Sequence, residues 1–377
     1  MGYYTSDGSF DDLGERTADL ESETITGVKW IAFKQNFFTT GFIADGLLSA
    51  AQLTQEVKEE YPAVDKFTTA KLFLPAEDLR AGKASYSYFF GPNSYPLLKK
   101  TTPGFEKNIY LGWPPVNLVN KWIIIPIFNW LQKYIANYGI IILILVLIIK
   151  LALSPLSYKS YMSMAKMKVM KPELDELKEQ IGDDQQKMQQ EQMKLYQQVG
   201  VNPLSGCIPM VLQMPILFAM FYFFPSSIEL RQKSFLWADD LSTYDSVFTL
   251  PFTIPIYGDH VSLFVLLMTA STILYTWSNN QMTTVQGPMK SMSYMMPVIF
   301  MFVLNSFPAA LSFYYFVANI ITFGQQAIIR MFVDEDKIKA TLNENRDKNK
   351  GKKKSKFQQK LDDALKSSQE AKKVKKK

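Results

Sequence analysis

Histidine and cysteine are almost missing from this chain: His260 and Cys207 are the only ones in 377 residues. A single cysteine excludes an internal disulfide. One of each leaves no ligand set for a zinc cluster and no Cys/His or Ser/His pair for nucleophilic catalysis. Cys207 reads as a small buried apolar residue. His260, beside Asp259 at the start of an apolar run, reads as a helix-end residue. No glycine-rich phosphate-binding loop is present. No metal, nucleotide or other cofactor is therefore expected.

What is present is unevenly spread. Hydrophobic residues make up 47% and aromatics 14%, yet the mean hydropathy is only −0.04. Such an average requires very apolar blocks beside very polar ones. The formal charge of +6 is equally uneven: Asp334–Lys377 holds 16 Lys and Arg against 8 Asp and Glu, leaving +8 there and −2 elsewhere. The stretch "KNKGKKKSKFQQKLDDALKSSQEAKKVKKK" is expected to form a disordered tail over 332–377, attracted to anionic lipid or RNA.

Residues 1–111 carry short alternating runs such as "VKWIAFKQNFFTTGFIA", "TAKLFLPA" and "ASYSYFFGP", punctuated by Gly, Pro and Asn. That pattern predicts antiparallel strands of a β domain. Residues 112–137, with Trp113, Trp122, Trp130 and an internal proline, predict an amphipathic helix lying in a membrane interface.

Five apolar runs follow, at 138–157, 205–226, 260–278, 292–306 and 309–331, and none contains Asp or Glu. Most approach the ~20 residues needed to cross a bilayer. The fourth would reach only about 22 Å and would thin the membrane locally. Lysines after the first run and the basic tail after the fifth place both on the inside, while the acidic 227–259 loop belongs outside. Residues 1–137 then lie outside. That placement calls for a signal or an anchor, so the expectation is that Met1–Gly2 is not the natural start and that an anchor and the earlier β domain are missing. The 158–204 segment, with Met164, Met167, Leu174, Leu177, Ile181, Met188, Leu195 and Val199 at helical steps around "IGDD", predicts an inside-facing helical hairpin.

Lys150 is the anomaly, a charge within the first run. A charge near the bilayer centre costs about 2.5–3.5 kcal/mol on insertion scales and marks a functional path. With no acid in any run, the candidates to accompany it are neutral: Gln213, Asn319, Thr269, Ser271 and Thr272. Each of them alone reads equally as glue between helices. Together with Lys150 they suggest a hydrated polar groove. A Ser/Lys dyad of Ser154 and Lys150 is the enzymatic alternative. It requires a neutral lysine, and Ser154 beside Pro155 more simply satisfies backbone freed by the proline. No enzyme is expected.

Two stretches, "LSPLSYKSYMSMAKMKVMKPELDELKEQIGDDQQKMQQEQMKLYQQVGVNPLSGCIPMVLQMPILFAMFYFF" and "MPVIFMFVLNSFPAALSFYYFVANIITFGQQ", carry a resemblance. The chain resembles the YidC/Oxa/Alb family of membrane protein insertases, in the bacterial form with a periplasmic domain, over about residues 30–330. The resemblance implies a mainly α, polytopic protein of the inner membrane. It implies a five-helix insertase core with a cytosolic helical hairpin, preceded by a partial β-rich periplasmic domain. It further implies a hydrophilic groove holding a positive residue, usually arginine, at the place of Lys150. Tyr314, Tyr315 and Phe316 are then candidates for a lipid-facing slide along which substrate helices move. The implied partners are nascent membrane proteins, the ribosome, the Sec translocon and anionic lipids. A small-solute transporter or channel is the rival reading, and a scaffold for the Sec machinery a third.

Overall fold

The computed structural model describes residues 1–14, 19–58, 60–61, 64–182, 185–202, 208–282 and 288–349. Cys207 and residues 350–377 lie outside them. The chain divides into two compact units. One comprises Met1–Ser154, Met210–Thr276 and Pro288–Gln325; the other comprises Pro155–Pro209, Trp277–Gly287 and Gln326–Lys377.

The first unit opens with a six-stranded antiparallel sheet: β1 (Gly2–Thr5), β2 (Phe10–Asp12), β3 (Glu21–Lys34), β4 (Phe38–Glu56), β5 (Phe67–Phe73) and β6 (Tyr86–Pro92). The long β4 pairs β3 along one edge. Its other edge is shared, with β6 on Phe38–Ala44 and β5 on Ala50–Glu56. A register shift between Val28 and Trp30 resets the alternation of β3. Val28 and Ile31 therefore join one apolar cluster, while Trp30 and Ala32 join another. Trp30 is fully buried, stacks on Tyr4 at 5.5 Å and donates its indole N–H to the Pro103 carbonyl at 3.0 Å. Two short helices, α1 (Ala76–Arg80) and α2 (Tyr95–Thr101), belong to this region.

A helical stretch follows as α3 (Val116–Val119), a π turn (Asn120–Ile124) and α4 (Ile125–Leu131). Pro126 lacks an amide hydrogen, and the wider π turn just ahead of it lies where the regular ladder cannot continue. Val116, Asn120, Ile124, Phe128 and Leu131 form one buried stripe, while Trp122 and Trp130 project outward. The remaining helices of this unit are α5 (Tyr138–Ala152), α9 (Ile208–Ser226), α10 (Leu263–Met282), α11 (Pro288–Leu304) and α12 (Ala309–Met331). They share one core, in which Ile141, Ile142, Leu145 and Ile149 of α5 meet Phe224 of α9, Phe264 of α10 and Ala310, Phe313 and Val317 of α12. Their outward faces are apolar too: Ile140, Leu143, Leu147 and Leu151 on α5, and Val298, Ile299, Phe300 and Val303 on α11, are exposed. A helix on the surface of a water-soluble core would be polar there.

Three differences from the sequence expectations concern helix limits. The first run does not continue to residue 157: α5 ends at Ala152, Leu153 interrupts, and α6 (Ser154–Val169) begins a new helix next to Pro155. Lys150 thus sits in the last turn of α5. No single described helix is long and apolar enough to cross a membrane. Two consecutive pairs, α5 with α6 and α12 with the helix after it, meet that test jointly. Third, α11 has 17 residues, a rise of about 25 Å, so it is somewhat longer than the run suggested.

The second unit holds α6, α7 (Lys171–Ile181), α8 (Gln185–Gln198) and α13 (Glu335–Asn349). The segment expected to form a hairpin is helical, but α6 and α7 are separated by a break at Met170, just before Pro172, and α7 is capped by Gly182 with φ +69°. The start of the basic tail is helical rather than disordered. Ile338 and Leu342, four apart on α13, are buried in a cluster with Met164, Met167, Met170, Leu174, Tyr196 and Val199. Lys168 pairs with Glu335 at 2.7 Å and Arg346 with Glu173 at 2.5 Å. Apolar spacing of four residues was present in "IKATL", but the high charge around it masked the helix signal.

Candidate functional site

The break after α5 builds the site around Lys150. The α-helical ladder of α5 stops with Leu153 N–H donating to the Ile149 carbonyl. The next carbonyl, that of Lys150, accepts instead from Gln325 Nε2 of α12 at 2.9 Å. The Lys150 side chain is 7% exposed, and its Nζ donates to Thr322 Oγ1 at 2.9 Å. Thr322 in turn donates to the Ala318 carbonyl one turn earlier. Two residues of α12, one turn apart, therefore hold both ends of Lys150. Among the described residues no carboxylate pairs with its ammonium.

The neutral residues expected beside it fall into a second group. Asn319 Nδ2 donates to Ser271 Oγ and Thr272 Oγ1 of α10, each at 2.9 Å. Ser271 and Thr272 donate onward to the Met268 carbonyl, and Thr269 to that of Val265. These hydroxyls are satisfied within α10, and Asn319 ties α10 to α12. Asn319 and Thr322 stand three apart on α12, so the two groups are neighbours along one helix face. Gln213 is half-buried on α9 and makes no hydrogen bond to Lys150. Thr322 and Gln325 were missed in the sequence; their spacing of three and six from Asn319 was the available signal.

The aromatic slide needs one correction. Tyr314 was expected to face lipid, but it is 3% exposed and packs against Phe224 at 6.0 Å inside the core. Its position next to Phe313 on the inward stripe of α12 explains this. Tyr315 and Phe316 are partly buried at the edge of the same core.

One end of the helix group is closed by the 227–262 segment, which contains a hairpin of β7 (Phe248–Ile254) and β8 (Gly258–Val261). Buried Asp245 accepts from Trp237 Nε1, Ser262 Oγ and the backbone N–H groups of Leu263 and Phe264, which open α10. Asn305, in the turn after α11, donates to the Tyr257 and His260 carbonyls and accepts from Ser262 N–H. The first amides of α12, Ala309 and Ala310, donate to the Thr243 and Leu241 carbonyls. His260 is buried within β8, stacked on Tyr244, three residues before the first residue of α10 rather than on a helix end.

Comparison with known proteins places these features in a family. A family model described as "60Kd inner membrane protein" matches residues 130–337, and one described as "YidC periplasmic domain" matches residues 2–130. A protein of Amoebophilus asiaticus named "Membrane protein insertase YidC" is 54% identical over 98% of this chain and 62% of its own length. One of the same name from Cytophaga hutchinsonii is 50% identical over 92% of this chain and 58% of its own length. The chain thus spans about three fifths of these relatives. A solved structure titled "Active YidC insertase crystal structure with the first transmembrane domain resolved" aligns at 20% identity and a TM-score of 0.44, over 81% of this chain and 79% of that one. With one family model covering more than half of the chain and the other covering the sheet ahead of it, the chain belongs to the 60Kd inner membrane protein family, and its N-terminal part to the YidC periplasmic domain.

Proposed function

We propose that the chain is the working part of a membrane protein insertase of the bacterial inner membrane. It carries short polar or acidic segments of nascent membrane proteins part-way across the bilayer while their apolar segments partition into lipid. The observation that carries this reading is Lys150, a nearly buried cation on an apolar helix whose ammonium, among the described residues, donates to the neutral Thr322 hydroxyl and meets no carboxylate. A buried charge without a counter-charge is costly, and an incoming carboxylate relieves that cost. The names of the relatives support the insertase reading, and nothing in the geometry favours a solute transporter.

In this reading the helices with apolar outer faces span the membrane, with the β domain periplasmic and the α6–α8 hairpin and basic tail cytoplasmic. Lys150, Thr322, Asn319 and Gln213 line a hydrated groove, and Thr269 and Thr272 stiffen its wall. Tyr315 and Phe316 offer the substrate helix a partly exposed aromatic edge. The short α11 thins the bilayer and lowers the barrier. The membrane potential acting on acidic segments, and burial of the substrate's apolar surface, drive transfer without a nucleotide. Ribosomal RNA and anionic lipid are the partners suited to the basic tail, and the Sec translocon is a further partner.

The test replaces Lys150 with arginine, leucine and glutamate in the full-length protein. It follows insertion of a single-span substrate with an acidic outer tail by protease protection. Arginine is expected to insert the substrate, and leucine and glutamate to fail at equal abundance. Leucine working as well as lysine would sink the role given to the charge.

A further inference from the structure

The β7–β8 hairpin has chemistry that the proposed transfer does not use. From Ser246 to Gly258 thirteen residues carry no formal charge, although Asp245 and Asp259 flank them. Phe248 and Phe252 are each 60% exposed and Ile256, near the tip, is 79% exposed. The register of the hairpin shifts between Thr249 and Ile254, and on either side of that break Phe248 and Phe252 keep their rings in the open. Pro251 and Pro255 have no amide hydrogen, which removes two donors that lipid could not satisfy. Ile256 holds φ at +73°, a left-handed conformation that a β-branched residue rarely adopts. A water-facing tip would place Gly or Asn there.

The hairpin is also firmly based. Asn305 donates to the Tyr257 and His260 carbonyls at 2.8 Å each, and the Tyr257 ring meets Phe302 of α11 at 5.4 Å. That contact sets the hairpin beside the last turns of α11, whose Ile299, Phe300 and Val303 are exposed and apolar. Docking surfaces for proteins are about as polar as ordinary surface and rimmed by polar groups. An uncharged stretch of this length, joined to an apolar helix face, favours acyl chains over a protein.

We propose that the β7–β8 hairpin dips its apolar tip into the outer leaflet of the bilayer, with lipid covering Phe248, Phe252 and Ile256. The hairpin then holds the closed end of the helix group at a fixed depth, while exposed Asp259 stays in water. This rests on the membrane-spanning reading above.

The test uses the full-length protein with Cys207→Ser, reconstituted in vesicles of phosphatidylethanolamine and phosphatidylglycerol. Single cysteines are introduced as F252C, I256C, D259C and I299C and labelled with a nitroxide. Collision with oxygen, which concentrates in lipid, is compared with collision with a water-soluble nickel chelate. Positions 252, 256 and 299 are expected to favour oxygen several-fold, and 259 the chelate. If 252 and 256 behave like 259, or are shielded from both reagents as under a protein partner, the hairpin proposal is overturned while 299 still reports lipid. If 299 also favours the chelate, the membrane-spanning reading falls with it.

Discussion

Asp245 offers the sharpest test of how the closed end is held together. Its carboxylate is nearly inaccessible and takes four hydrogen bonds, from Trp237 Nε1 at 2.8 Å, Ser262 Oγ, Leu263 N at 2.9 Å and Phe264 N at 3.0 Å. Two of these donors are the first amides of α10, where a negative charge also meets the positive end of the helix dipole. Asp245→Ala strands all four donors. Each stranded buried donor costs about 1–3 kcal/mol. Bonds converging on one group are not additive, and water entering the polar space left behind recovers part of the loss. The expected destabilisation is therefore about 4 kcal/mol, at the low end of the simple sum of about 4–12 kcal/mol. Asp245→Asn keeps the shape: its amide oxygen can serve the three donors now on Oδ2, and the Ser262 hydroxyl can turn to accept from its NH2. What remains is the lost charge at the helix start, about 1–2 kcal/mol. Equilibrium unfolding in mixed detergent micelles, followed by tryptophan fluorescence, measures both. A loss within about 0.5 kcal/mol for the alanine variant, the range of ordinary surface changes, would refute the reasoning.

Two further outcomes follow from the site and from α13. Thr322→Val keeps the volume but removes the hydroxyl that accepts from Lys150, a charged bond of the kind worth about 1.5–3 kcal/mol. The valine variant should lose stability by about that amount and insert an acidic-tailed substrate poorly, while Thr322→Ser stays near wild type; equal performance of valine and serine would remove Thr322 from the site. Ile338→Asp places a charge in the methionine-rich cluster where Ile338 is 5% exposed, and burying an unpaired charge is prohibitive, so α13 should undock. Limited proteolysis should then cut within residues 332–349 much faster than in wild type, and unchanged protection would show that α13 does not depend on this contact.

Much of the architecture was legible because it rests on local periodicity. Alternation in "VKWIAFKQNFFTTGFIA" predicted antiparallel strands where β3 and β4 lie, and acid-free apolar runs predicted α9 to α12 within a few residues. The Met and Leu spacing of 158–204 predicted two arms around "IGDD". Lys150 stood out because a charge in an apolar run is costly wherever that run folds. Other features were not local. The helix break at Leu153 put Lys150 in a last turn, and only packing against α12 showed that Thr322 and Gln325 take its ammonium and carbonyl. Tyr314 and Tyr315 are adjacent in sequence and indistinguishable by type, yet a 100° step around the helix buries one and leaves the other at the edge. Asp245 read only as one more acid in an acidic loop.

The sequence by itself determined the division into sheet, apolar helices and charged hairpin, together with the charge of Lys150 inside an apolar run, because hydropathy and charge act residue by residue. Tertiary structure alone decided the partners: which hydroxyl meets Lys150, which helix start Asp245 holds, and that an uncharged loop becomes an exposed apolar hairpin. Hydrogen-bond partners distant in the chain are selected by the mutual fit of whole elements, and no local pattern encodes that fit.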